Sequence, residues 1–129
     1  MRVLDNLVPE KVFYYFEEIC KIPHGSRNTK QISDYLVDFA KAHELKYRQD
    51  EDLNVIIWKD GSKGYEASEP VILQGHMDMV AVKEADCDKD MEKEGLDLEI
   101  NGDYISAKGT SLGGDDGNRS CIYTCSVRR

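Results

Sequence analysis

The chain has 129 residues, which is enough for one domain with a hydrophobic core and too few for two ordinary domains. Its 40% hydrophobic and 33% charged residues are typical of a globular protein and exclude a disordered or fibrous one. The formal net charge of -8 argues against non-specific nucleic-acid binding, and no apolar run is long enough to span a membrane, so we expect neither nucleic acid nor a membrane as a partner.

Two amphipathic helices are predicted at the start of the chain. The first begins at or near Pro9, which suits a first helical turn, and ends before Pro23. The second covers residues 29–42. The apolar side chains expected to form the buried stripes of the two helices are Val12, Phe16, Ile19, Ile32, Leu36, Phe39 and Ala40. The charged side chains of the first helix that are expected to face water are Lys11, Glu17, Glu18 and Lys21.

Three strands are predicted next, over residues 45–49, 55–58 and 71–75, with a solvated loop over residues 59–69. The third strand is short, follows Pro70 and begins with the apolar run Val71 to Leu73, so we expect it to be buried. Helices followed by strands favour an α/β fold class, with helices packed on a mixed sheet.

A charged loop over residues 83–95 comes before a predicted hairpin. Asp86, Asp88 and Asp90 alternate as in a calcium-binding loop, but the sixth and twelfth positions hold Met91 and Asp97 instead of glycine and glutamate. A calcium site is therefore rejected. The alternating residues 96–100 and the residues 104–107 are predicted to pair as a hairpin across a turn.

A histidine and an aspartate follow the third predicted strand. In an extended chain alternate side chains share a face, so His76 and Asp78 are expected on the same side. A carboxylate that holds one nitrogen of a metal-binding imidazole fixes its tautomer and raises its basicity. The alternative is a strand end with two polar residues that hydrogen-bond locally.

The glycine-rich residues 109–117 contain two adjacent carboxylates, Asp115 and Asp116. A phosphate-binding loop would need a lysine followed by serine or threonine after Gly114, and the sequence has neither. The two aspartates can cap a helix that begins at Gly117, or they can supply a metal ligand. Oxygen and imidazole ligands together suit zinc or manganese.

The remaining histidines and the cysteines point to no further site. His24 and His43 lack a carboxylate or cysteine partner at ligand spacing. We expect His24 to be a loop residue that can approach an active site, and His43 to lie at the end of a helix. The four cysteines form no Cys-x-x-Cys pair, and no signal peptide is visible. A disulfide framework is not expected, and a reducing cytoplasm fits these features.

Together, residues 76–78 and 109–117 resemble the N-terminal part of a cytosolic aminoacyl-histidine dipeptidase. Such enzymes are members of the superfamily of two-zinc aminopeptidases, carboxypeptidases and aminoacylases. The resemblance covers residues 7–117 and includes the segments 19–24 and 54–56. It implies that residues 1–117 are the N-terminal part of a zinc-dependent peptidase catalytic domain.

The resemblance also implies roles for the site residues. His76 would ligate one zinc ion, Asp78 would orient the imidazole of His76, and Asp115 would bridge two zinc ions, with manganese or cobalt as substitutes. The peptide bond between Asp115 and Asp116 is typically cis in such enzymes. The implied substrates of the intact enzyme are dipeptides, including those with a C-terminal histidine, and the intact enzyme would be a homodimer.

The sequence departs from the family after Gly117. The general-base glutamate, the other metal ligands and the lid domain, which also mediates dimerisation, lie downstream of this point in the family, so we expect the chain alone to be inactive. Residues 118–129 show no helical stripe where the family has an apolar helix, and they are predicted to be an aberrant tail. One origin of this tail would be a frameshift after Gly117. Codons exist for residues 118–129 that, when read one base later, encode an apolar sequence with a helical pattern. An artificial boundary followed by an unrelated tail is the other.

Three functions remain open from the sequence. The first is a zinc dipeptidase of which this chain is a part. The second is a non-catalytic module that keeps the scaffold and binds a partner or one metal ion. The third is a related tripeptidase or deacylase with the same metal site. For a fragment of a larger enzyme, the missing helices would leave one apolar face uncovered, so self-association or poor solubility is expected.

Overall fold

The structure is a computed structural model that describes residues 2–127. Its elements are α1 (Glu10–Cys20), α2 (Lys30–Ala42), β1 (Lys46–Gln49), β2 (Val55–Trp58), β3 (Leu98–Asn101), β4 (Tyr104–Ala107) and α3 (Gly114–Val127). The two predicted helices and the predicted hairpin are confirmed to within a few residues. Within this part of the chain, no helix is long and apolar enough to cross a membrane.

The strands form two separate antiparallel hairpins. In the first, β1 pairs with β2 so that Lys46 lies opposite Trp58. In the second, β3 pairs with β4 so that Leu98 lies opposite Ala107. The α/β fold class is confirmed, but the described residues form two two-stranded antiparallel sheets in place of one mixed sheet.

The strand predicted over residues 71–75 is wrong in this structure. These residues form no strand, and Val71 and Ile72 are 81% and 89% exposed. A strand needs backbone partners on a neighbouring strand, and neither hairpin pairs with this segment. A β-branched composition therefore does not produce a strand here without a neighbour to pair with.

The core lies between α1, α2 and α3. Helix α1 contributes Tyr15, Phe16, Ile19 and Cys20, which are all buried. The ring of Tyr15 contacts that of Phe39 from α2 edge-on, with centroids 5.6 Å apart. The hairpin of β1 and β2 packs against α2, while α3 packs against α1.

Glu17 corrects the expected water-facing side of α1. Its side chain is buried, and its carboxylate accepts hydrogen bonds from the backbone N–H groups of Val3 (3.0 Å) and Leu4 (3.1 Å). The N-terminal segment thus folds over α1 and satisfies a carboxylate that helical periodicity alone places in solvent.

The described part of the predicted tail, residues 118–127, is helical although its sequence shows no apolar stripe. Cys121 and Thr124 are buried. Their polar atoms bond within the helix, the thiol to Asn118 O and the hydroxyl to Ser120 O at 2.7 Å. Small side chains with internal partners can therefore line this interface without an apolar stripe. Residues 128–129 of the predicted tail lie outside the described residues.

Candidate metal site

The structure brings His76, Asp78 and Asp115 together from two segments that are distant in sequence. His76 Nδ1 lies 3.1 Å from Asp78 Oδ1 and 2.9 Å from the Asp78 backbone oxygen. His76 Nε2 lies 3.3 Å from Asp115 Oδ1. With Nδ1 protonated and donating to Asp78, the lone pair of Nε2 is directed to the Asp115 side.

The flanking carboxylates affect the charge of the imidazole. Desolvation lowers the pKa of His76, but hydrogen bonds to Asp78 and Asp115 outweigh it, so the pKa lies above its ordinary value. These two acceptors stabilise positive charge at this position. A cation of higher charge would be favoured there for the same reason.

Asp78 is held by a second group on its other oxygen. The hydroxyl of Ser26 donates to Asp78 Oδ2 at 2.6 Å. This bond is the largest cause of the lowered pKa of Asp78, followed by the hydrogen bond to His76, with desolvation opposing both. Asp78 therefore stays ionised beside the imidazole. No sequence motif pointed to Ser26.

Asp115 and Asp116 lie at the start of α3, where the backbone departs from helical geometry. The peptide bond between them is cis, as the resemblance implied. The Asp115 side chain is 97% exposed, which leaves its oxygens accessible to a ligand. The two adjacent carboxylates thus lie in different environments, since Asp116 is buried.

Asp116 is buried behind the site, so its carboxylate is turned away from a ligand at His76 and Asp115. Its Oδ2 accepts a bond from the backbone N–H of His76 at 3.4 Å, and Arg119 Nε lies 3.4 Å from its Oδ1. A Cβ atom on Gly75 would lie 2.8 Å from Asp116 Oδ2. Gly75 directly precedes His76, and its lack of a side chain permits the Asp116 carboxylate to lie against the backbone there.

His24 and His43 do not join the site as side chains. His24 lies in a loop, as expected, but it is buried, and its Nδ1 lies 2.6 Å from Ile22 O. Burial lowers the pKa of His24, with the bond to Ile22 and the charge of Asp78 opposing it. His43 follows the last residue of α2, as expected, and its ring packs on Phe39 with centroids 4.4 Å apart.

The donors present fit part of a metal site. An imidazole nitrogen and a free carboxylate oxygen are ligands that zinc and manganese accept. A catalytic zinc usually has about three protein ligands. Within residues 2–127, no group of three histidine, cysteine or acidic side chains is arranged to hold a metal ion. His76 and Asp115 can therefore supply two ligands, and further ones would have to come from elsewhere.

Comparison with known proteins agrees with the resemblance seen in the two motifs. No family model matches the chain. The cytosol non-specific dipeptidase of Escherichia coli K12 is 37% identical over 117 residues, which are 91% of this chain and 24% of that protein. The crystal structure of aminoacylhistidine dipeptidase from Vibrio alginolyticus superposes with a TM-score of 0.90 at 33% identity, covering 95% of this chain and 25% of that one.

The chain thus spans about a quarter of the length of the relatives that it matches. Both matches cover nearly the full length of this chain. The first is a similarity of sequence and the second a similarity of structure. In sequence and in fold, this chain is therefore similar to about a quarter of each of two dipeptidases, which confirms the resemblance that its motifs predicted.

Proposed function

We propose that this chain is the part of a zinc-dependent dipeptidase that supplies two of its metal ligands. The observation that carries the proposal is the arrangement of His76, with one ring nitrogen on Asp78 and the other facing Asp115. The relatives are named as dipeptidases, one of them for aminoacyl-histidine substrates. We infer that the complete protein hydrolyses dipeptides, including those that end in histidine.

The residues of this chain would divide the work at the metal. His76 Nε2 and an oxygen of Asp115 would be ligands of the zinc in the complete protein. Asp78 would keep Nδ1 protonated and the ring in place. Zinc, or manganese or cobalt in its place, supplies Lewis acidity that polarises a carbonyl and lowers the pKa of a bound water. The proton acceptor would be a carboxylate outside this chain.

The chain by itself would then be inactive. Two ligands are fewer than a catalytic zinc usually has, and the described residues offer no third. We also propose that the complete protein is a cytosolic homodimer. The cytosolic location rests on the name of the Escherichia coli relative.

The main competitor is a non-catalytic module on the same scaffold that binds a partner or a single metal ion. The incomplete ligand set favours it over an active chain. A related tripeptidase or deacylase is a second competitor, since it would use the same metal site with other substrate contacts.

The first experiment is to sequence the gene through and beyond the Gly117 codon and to translate all three frames. The complete protein is then purified, stripped of metal with a chelator, reloaded with zinc and assayed on an Xaa-His dipeptide, a tripeptide and an N-acyl amino acid. We expect zinc-dependent hydrolysis of the dipeptide and none by the 129-residue chain alone. Turnover of only the tripeptide or the acyl substrate would support a related enzyme. A folded, zinc-loaded protein that cleaves none of them would support the binding module.

A further inference from the structure

Ser26 lies in the loop between α1 and α2, far in sequence from both motifs of the candidate metal site. Its hydroxyl donates to Asp78 Oδ2 at 2.6 Å, the oxygen that does not face His76. The Ser26 side chain is exposed, so the loop does not require it for packing. Core packing therefore does not explain why the Ser26 hydroxyl is bonded to Asp78.

The backbone fixes where Ser26 stands. The Ser26 N–H donates to Met79 O, and the Met79 N–H donates to His24 O, both at 3.0 Å. These bonds form a short parallel bridge between Gly25 and Met79. A Cβ atom on Gly25 would lie 2.8 Å from Ala81 Cβ, so the glycine permits the two segments to approach. The Ser26 hydroxyl is thus presented to Asp78 by main-chain contacts that do not depend on the side chain.

The two oxygens of Asp78 have separate partners. Oδ1 lies 3.1 Å from His76 Nδ1, while Oδ2 accepts the Ser26 bond. The terminal torsion of an aspartate is broad, so a carboxylate with one partner can rotate about it. A partner on each oxygen restricts that rotation and fixes the plane of the carboxylate. This carboxylate acts on the His76 ring together with the Asp78 backbone oxygen, which lies 2.9 Å from Nδ1, and the two contacts place Nε2 beside Asp115.

We propose that Ser26 is a positioning residue of the metal site, which holds Asp78 so that His76 presents Nε2 to the metal. The proposal rests on the proposed function and adds a residue on a third segment to the two that carry the ligands. Ser26 touches neither the metal nor the reacting atoms. Its effect would pass through Asp78 to His76.

Asn28 provides a matched control in the same loop. Its side chain donates to Glu92 O at 3.0 Å, whereas the side chains that contact the Asp78 carboxylate within the described residues are those of Ser26 and His76. Asn28→Ala would therefore loosen the loop without removing a bond to the site. Ser26→Thr keeps the hydroxyl, and the exposed position leaves room for the added methyl group.

The test uses the complete protein with Ser26→Ala, Ser26→Thr, Asn28→Ala and His76→Ala. Zinc affinity is measured by competition with a chromophoric chelator, and kcat and KM are measured on an Xaa-His dipeptide after thermal unfolding has shown that each variant is folded. We expect Ser26→Ala to weaken zinc binding about 10-fold, which is the lower end of the loss in metal affinity when a group that supports a ligand is removed. The same change should lower kcat by a larger factor than it changes KM. Ser26→Thr should restore both, and Asn28→Ala should leave zinc affinity within about twofold of the parent, as a surface change does.

Wild-type zinc affinity in Ser26→Ala would overturn the proposal, as would failure of Ser26→Thr to restore it. An equal loss in Asn28→Ala would also overturn it, because the loop would then be the cause. The His76→Ala variant distinguishes an error in the role of Ser26 from an error in the proposed metal site. If His76→Ala loses zinc and Ser26→Ala does not, only the role of Ser26 is wrong. If His76→Ala binds zinc normally, the metal site itself is misassigned.

Discussion

His76 is the residue at which the two segments of the site meet. Asp78 lies two residues away along the same segment, whereas Asp115 reaches the ring from the start of α3. The contact with Asp78 is local and follows from the alternation of side chains. The contact with Asp115 depends on how α3 packs against α1. One imidazole thus combines a short-range and a long-range interaction.

The two sides of this imidazole should respond differently to mutation in the complete protein. His76→Ala removes a ligand and should abolish most zinc-dependent dipeptide hydrolysis. Asp78→Ala leaves the ligand but loses its support, so zinc affinity or activity should fall about 10–100-fold. Asp86→Ala, which removes an exposed carboxylate from the charged loop, is the control and should change neither. Full activity in both site variants would show that the site is wrongly assigned.

The buried His24 makes stability depend on pH. Burial lowers its pKa in the folded chain, so the unfolded chain binds the proton more readily. Stability is then fully present above the unfolded value of about 6.5 and is lost as the pH falls through 6.5 towards the lower folded value. The loss is at most about 1.4 kcal/mol per pH unit for one proton.

His24→Gln should flatten this dependence, because glutamine does not titrate. The measurement is urea unfolding of both proteins at several pH values between 7.5 and 5. We expect the free energy of unfolding of the parent to fall more steeply on the acidic side than that of the variant. Identical slopes would mean that His24 does not take up a proton on unfolding.

At the scale of elements, the C-terminal end of α1 is closed by a distant loop. The Leu96 N–H donates to Cys20 O at 2.7 Å, which satisfies a carbonyl that the helix leaves free. Gly95 precedes this bond, and a Cβ atom there would lie 2.4 Å from Lys21 O. The charged loop over residues 83–95 is therefore anchored to α1 by backbone contact at its end.

Gly95→Ala should destabilise the fold, because the backbone of Lys21 cannot move aside without breaking the end of α1. We expect a loss of about 1–3 kcal/mol in the free energy of unfolding, as for overpacked positions. Gly114→Ala is the matched control, since a Cβ atom there meets nothing within 4 Å and lies at the start of α3. Its effect should stay within about 0.5 kcal/mol. Equal effects of the two changes in denaturant unfolding would contradict the close contact.

At the scale of the whole molecule, an apolar segment is left on the surface. Val71, Ile72 and Leu73 are all exposed, although their composition is that of a buried strand. Val80 and Val82 extend this exposed set along the chain. Exposed apolar side chains favour association, so self-association of the chain stays a prediction.

The isolated chain should therefore self-associate through residues 71–73. Sedimentation velocity over a range of protein concentrations should show species larger than the monomer. Ile72→Lys should shift the distribution towards monomer, since it places a charge within the segment. Ser62→Lys adds the same charge at an exposed loop position outside the segment and should have a smaller effect. A monomer at all concentrations, or equal effects of both lysines, would contradict this prediction.

The sequence by itself determined the features that depend on neighbours along the chain. Helical periodicity located α1 and α2, turn chemistry located the hairpin of β3 and β4, and spacing by two placed His76 beside Asp78. The resemblance located Asp115 and the cis bond that precedes Asp116. Each of these is a local pattern, which one segment carries without reference to the rest.

The tertiary structure decided what depends on segments that are distant in sequence. It left residues 71–75 unpaired, because a strand exists only with a partner. It buried Glu17, because the N-terminal segment supplies two donors, and it made the tail helical, because small side chains fit against α1. It also brought Ser26 to Asp78 and Asp116 to the backbone of His76. No periodicity encodes these contacts, since they arise only when separate elements pack together.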